Sequence, residues 1–112
     1  MTNLKKQHDK RTTLKEAISQ FVTDGSSLCF SGMGGAQCVA HTYEVIRQGK
    51  KDLTLIGDSP CEAGDLLVGA GCVKRMEIAF CSYAVAGLGY NFRRAVESGI
   101  PHKVEVVDYS IY

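Results

Sequence analysis

The residues best suited to chemistry lie in one run, Asp24 to Gln37, which reads Asp-Gly-Ser-Ser-Leu-Cys-Phe-Ser-Gly-Met-Gly-Gly-Ala-Gln. An apolar stretch passes into Gly32-Met33-Gly34-Gly35 and then into a helical pattern. Glycine admits positive φ and lets a ligand approach the backbone closely. A helix starting beyond such a loop adds unpaired N–H donors and the positive end of a dipole. Together these can hold a phosphate, a carboxylate or an oxyanion. A tight turn whose glycines serve packing alone explains the same residues, and glycine content does not separate the two. The loop is also a partial dinucleotide fingerprint, two spaced glycines, a third glycine, and an acid about 20 positions on. Gly32 and Gly34 fill the first two places, Gln37 stands at the third, and Asp58 is the acid.

Other candidates are weaker. Glu62 and Asp65 follow the second apolar strand pattern and could serve acid–base chemistry if burial raised their pKa values. Capping a helix N-terminus, where carboxylates meet the dipole, is the preferred reading of both. His41 falls inside a helix pattern, His8 in the N-terminal stretch and His102 after Pro101, with no partner that suggests a triad or a metal pair. Arg93-Arg94 could meet phosphates, but a solvent-facing helix pair is the commoner arrangement. Cys29, Cys38, Cys61, Cys72 and Cys81 are odd in number, and no two stand as C-x-x-C. No zinc pattern fits them, so no metal site is expected. Cys29 and Cys81, in predicted strands, read as small buried hydrophobes.

The elements that must position these residues alternate in type. Thr13-Leu14-Lys15-Glu16 has the form of a capping box, and apolar residues at helical spacing predict a helix over 14–22. Leu28 to Ser31 predicts a strand, and a helix follows over about 36–48, with Gly49 at its left-handed end. Leu53 to Ile56 is the next strand, closed by Gly57-Asp58-Ser59-Pro60. A helix is expected around Ala63 to Gly69, a strand over Met76 to Cys81, a helix holding Phe92 to Glu97 and a strand over Val104 to Val107. Strands alternating with helices call for an α/β fold. The expectation is an open, mostly parallel sheet of about four strands with right-handed crossovers. Residues 1–12 are expected as a flexible basic tail and residues 13–112 as the domain.

Composition removes several classes of function. The net charge is +1, and the one basic cluster, Lys5 to Arg11, sits in the N-terminal stretch. No nucleic-acid or anionic-membrane surface is expected from that balance. No apolar run approaches the roughly 20 residues of a membrane span, and no signal peptide is recognisable. A reduced, cytoplasmic setting is the economical reading of the cysteines.

The run from Asp24 resembles the signature of family I coenzyme A transferase α subunits. That signature has Asp-Gly, two variable residues, three apolar residues, Gly-Gly-Phe, three residues, Gly, one residue and Pro. Asp24-Gly25, Leu28-Cys29-Phe30 and Gly32 fit it, whereas Ser31, Met33, Gln37 and Val39 depart from it. Tyr43 to Gly57 is similar to a helix and strand of glutaconate-type α subunits. Leu66 to Arg75 resembles the family's Leu-Ile-Gly-Ala-Gly-x-Val-Lys stretch, and 91–99 and 104–110 also look like it. The resemblance spans nearly the whole chain in the family's order, as the N-terminal portion of such a subunit.

That resemblance implies transfer of CoA between an acyl-CoA and a carboxylic acid, through covalent intermediates on a glutamate of a separate β subunit. It implies no catalytic residue in this chain and no cofactor beyond the CoA thioester as substrate. It implies backbone roles for Gly32, Gly34 and Gly35, a pocket shaped by Met33 and Gln37, and side-chain hydrogen bonds from Ser31 and Gln37. A related hydrolase of steroid-derived CoA thioesters carries a glutamate in the turn before Gly-Leu, where this chain has Ala84. Alanine cannot act as base or nucleophile, which weighs against that branch. The family's α subunits are longer, so a homo- or hetero-oligomer with a β subunit is expected and activity alone is not. The alternatives are a non-catalytic binding or assembly module and a dinucleotide-binding domain.

Overall fold

Thr13 starts the first helix as expected. Its hydroxyl accepts from the Glu16 N–H at 3.2 Å, and the Glu16 carboxylate accepts from the Thr13 N–H at 3.1 Å. This reciprocal box satisfies two donors that a helix start otherwise leaves free. The computed structural model describes residues 9–30, 37–83 and 86–109. Within them the order is α1 (Leu14–Phe21), β1 (Ser27–Cys29), α2 (Val39–Arg47), β2 (Leu53–Gly57), α3 (Cys61–Gly69), β3 (Val73–Ile78), β4 (Ser82–Tyr83), β5 (Gly87–Leu88), α4 (Tyr90–Ser98) and β6 (Glu105–Asp108).

Four strands form one parallel sheet in the order β1-β2-β3-β6. The fold class expected from the sequence is therefore present. The antiparallel pair β4–β5 was not expected. The third strand begins at Val73, three residues before the predicted start, and ends at Ile78, so Cys81 lies beyond it. The bulge between Leu53/Thr54 and Val73/Arg75 interrupts the strict alternation that would have marked that start.

The strand order rises steadily along the chain, and right-handed crossovers then place every connecting helix on the same side. The core agrees. Leu28, Leu55, Met76 and Val106 share one register row and point into the helix layer. There they meet Ile18 and Val22 near α1, Val45 of α2, Leu67 and Val68 of α3 and Ala95 of α4. Each fully buried aliphatic side chain contributes about 1.5–3 kcal/mol. The alternate rows, Ser27–Thr54–Arg75–Glu105 and Cys29–Ile56–Glu77–Val107, face the other way. None of their residues belongs to the core. Cys29 is exposed, which corrects its reading as a buried hydrophobe: the alternation puts it on the side away from the helices.

Candidate functional site

The carboxyl ends of β1, β2 and β3 converge where the chain turns into α2, α3 and the β4–β5 pair. β1 and β2 are close here, because a Cβ on Gly57 would lie 3.0 Å from the Phe30 carbonyl oxygen. Gln37, at the end of the glycine run, binds this junction with both ends of its amide. Its Nε2 donates to the Ser59 carbonyl at 3.2 Å, and its Oε1 accepts from the Ala63 N–H at 3.3 Å. Ala63 lies in the first turn of α3, whose N-cap is Pro60 and makes no side-chain cap bond. Gln37 thus caps a helix 26 residues away in sequence, a role beyond the pocket-shaping one expected for it.

Two cysteines sit behind this junction. Cys61 Sγ lies 2.7 Å from Ser59 Oγ, with both residues buried. Cys61 has a φ of 31°, an uncommon conformation for a residue with a side chain. The Cys81 thiol reaches the Cys61 carbonyl at 3.8 Å. Burial, reinforced by the charge of Asp65, pushes the Cys81 pKa up to about 12, so this thiol stays protonated and unreactive at neutral pH.

Asp65 is 1% exposed and accepts three hydrogen bonds. They come from the Tyr83 hydroxyl at 2.8 Å, Asn91 Nδ2 at 2.9 Å and the Phe92 N–H at 2.8 Å. Phe92 is in the first turn of α4, whose N-cap Gly89 has no side chain to offer. Asp65 is indeed a helix cap, but of α4 rather than of its own helix. Desolvation, and then the bond given to Asp65, hold the Tyr83 hydroxyl well above the ordinary tyrosine pKa. Glu62 lies in the first turn of α3, at the helix start expected for it, with no side-chain cap bond made there. Its Oε2 is buried and is the one side-chain oxygen of that kind, among the described residues, without a hydrogen-bond partner.

The remaining candidates separate cleanly. Ser31, Gly32, Met33, Gly34, Gly35 and Ala84 lie outside the described residues, as does His8. Asp58 serves its own turn: Oδ1 accepts from the Ser59 N–H at 2.8 Å, and its carbonyl accepts from Ala79 and Phe80. His102 bonds the Val73 carbonyl at 2.7 Å. Arg93 pairs with Glu97 on the exposed side of α4, and Arg94 donates to Asn91. His41 is exposed on α2 and lines an apolar cavity of about 180 Å³ with Ile18, Val22, Leu28, Phe30 and Val45. Among the described residues, no group of His, Cys, Asp and Glu is arranged to hold a metal ion and no helix is long and apolar enough to cross a membrane. Sequence reasoning missed the Asp65–Tyr83–Asn91 cluster. The available signal was an acid inside the largely apolar stretch Ala63 to Val68, a placement that demands buried donors.

A sequence profile for the family described as coenzyme A transferase matches residues 11–109. The chain is 38% identical over 98 residues to the A-type subunit of 3-oxoadipate CoA-transferase from Pseudomonas knackmussii, covering 88% of this chain and 35% of that protein. It is 32% identical over 103 residues to the A-type subunit of glutaconate CoA-transferase from Acidaminococcus fermentans, covering 90% and 31%. Among solved structures, the glutaconate coenzyme A-transferase of Acidaminococcus fermentans superposes with a TM-score of 0.77 at 31% identity, over 91% of this chain and 32% of that one. A variant of the decarboxylase AibA/AibB superposes with a TM-score of 0.76 at 31% identity, over 88% and 38%. The chain spans about a third of the length of these relatives.

Proposed function

The chain belongs to the coenzyme A transferase family, and on that premise we propose that it is the α-type part of an enzyme moving CoA between an acyl-CoA and a carboxylic acid. Its likeness to the A-type chains of two such transferases supports the α-type assignment. The nucleophilic glutamate belongs to a separate β subunit, which attacks the thioester and forms covalent intermediates. This chain supplies the wall of the site. Backbone N–H groups of Gly32, Gly34 and Gly35 receive acyl oxygens, Met33 and Gln37 shape the pocket, and Ser31, Glu62 and Ala84 border it. The CoA thioester is substrate, no resident cofactor takes part, and the setting is cytoplasmic.

The observation that carries this reading is the pair of hydrogen bonds at Gln37, whose Nε2 donates to the Ser59 carbonyl and whose Oε1 accepts from the Ala63 N–H. It anchors the end of the glycine run at the carboxyl edge of the sheet, where open α/β sheets bind ligands. The test is a titration of acetyl-CoA, paired with a CoA-transfer assay, each with and without a CoA-transferase β subunit. The chain alone should bind acetyl-CoA without transferring CoA. Gln37→Ala should weaken binding about tenfold, because the end of the glycine run loses its anchor to Ser59 and Ala63. Transfer by the chain alone would remove the need for a partner's nucleophile. Absence of acetyl-CoA binding with and without the β subunit would remove the functional reading altogether.

A further inference from the structure

Glu62 and Asp65 stand three residues apart in α3, so their side chains leave the helix on one side. Burial first, and among the smaller causes the charges of both acids, push the Cys81 thiol and the Tyr83 hydroxyl up. The two carboxylates therefore lie around one segment, just beyond β3. They are paired differently. Asp65 accepts from the Tyr83 hydroxyl, Asn91 Nδ2 and the Phe92 N–H. Glu62 Oε2 is buried and, among the described residues, accepts from nothing. No Lys, Arg or His among those residues forms an ion pair with either acid. Glu62 also lies between Ser59 and Ala63, the two residues that Gln37 binds at the end of the glycine run. We propose that Glu62 is a specificity residue of this site, its carboxylate accepting a hydrogen bond from a hydroxyl on the acyl group of the substrate and turning away an acyl group that ends in a second carboxylate. This assignment rests on the transferase reading above.

A carboxylate oxygen that has given up water without gaining a donor is a standing cost to the fold. The Glu62 side chain as a whole is only half-buried, so its carboxylate can be reached from outside. The last torsion of a glutamate is broad, which lets the two oxygens exchange places. A site whose polar group is left unpaired by an apolar substrate favours the analogue that brings the missing donor. An acyl chain ending in a carboxylate would add a third negative charge to two that no cation offsets. Like charges repel most where water is excluded. The amide N–H groups of the CoA arm have the same donor chemistry as a hydroxyl. They are common to every CoA ester, so a contact with them would not discriminate between acyl groups.

Butyryl-CoA, β-hydroxybutyryl-CoA and succinyl-CoA have acyl chains of one length, and their titration into the full chain, with and without a CoA-transferase β subunit, tests this. The hydroxy ester should bind about tenfold more tightly than butyryl-CoA, the effect of one hydrogen bond to a charged group. Succinyl-CoA should bind about tenfold more weakly than butyryl-CoA. Glu62→Leu should erase both differences while butyryl-CoA still binds. Glu62→Gln should erase only the penalty on succinyl-CoA, because the amide oxygen still accepts a hydrogen bond. Circular dichroism confirms the fold of each variant. Equal binding of the three esters by the wild-type chain overturns the proposal, as do differences that survive Glu62→Leu. Equal weakening of all three esters by Glu62→Leu also overturns it, and moves the contact to the CoA arm. If none of the three binds, with or without the β subunit, the transferase reading falls and this assignment with it.

Discussion

Asp65 shows how a single acid can organise three segments. It sits in α3, but its bonds hold Tyr83 of β4 and the first turn of α4. A buried carboxylate with these donors is tolerated, and losing one donor exposes the desolvation cost. Tyr83→Phe should therefore lower stability by about 1–3 kcal/mol, read from urea unfolding. Gly89 is part of the same arrangement. Its φ of −56° suits alanine, yet a Cβ would lie 2.5 Å from Asp65 Oδ1. Gly89→Ala should cost roughly 1–3 kcal/mol through overpacking, and almost nothing once Asp65→Ala has removed the obstructing oxygen. A double-mutant cycle measures that coupling, and a full penalty in both backgrounds would refute the steric account. The sequence marked Gln37 and Asp65 as polar residues near the ends of strands. It did not reveal their partners, because no spacing rule links residues 18 and 26 positions apart.

Elements with local causes were legible. The box at Thr13 and Glu16 depends on residues three apart, and it formed as the spacing predicts. Gly49, past the end of α2, has the expected positive φ of 65°. The start of β3 was not legible, since it depends on a bulge against β2. β4–β5 was missed because each strand has only two residues. Thr13→Ala should destabilise the protein by about 1 kcal/mol. The box also predicts a pH response. The Thr13 N–H first, then the Thr13 and Thr12 hydroxyls, hold the Glu16 carboxyl below its ordinary value of 4.5. In that window the unfolded chain binds more protons, so the contribution is complete above pH 4.5 and disappears as pH falls below it. Glu16→Gln should flatten this acid limb in thermal melts. An unchanged acid limb would show that the carboxylate contributes nothing there.

At the scale of the whole molecule, the alternation of strands and helices was enough to anticipate a parallel α/β sheet. The order β1-β2-β3-β6 was not, because each strand could pair with several others at equal local cost. The glycine run itself lies outside the described residues, and Gln37 beyond it is held by Ser59 and Ala63. The order nonetheless ranks the strands. β2 and β3 have neighbours on both sides, whereas β1 has three residues and one neighbour. Hydrogen exchange should be slowest at Leu55 and Met76, both fully buried, and faster at Cys29. Equal rates across the sheet would contradict this hierarchy.

The steady order of the strands bears on how the chain acquires its shape. Every strand of the parallel sheet after the first adds beside the one made just before it in that sheet. Closing contacts therefore join segments only a few dozen residues apart, which shortens the loops that folding must close. During synthesis from the N-terminus, each new unit emerges from the ribosome beside a template already assembled.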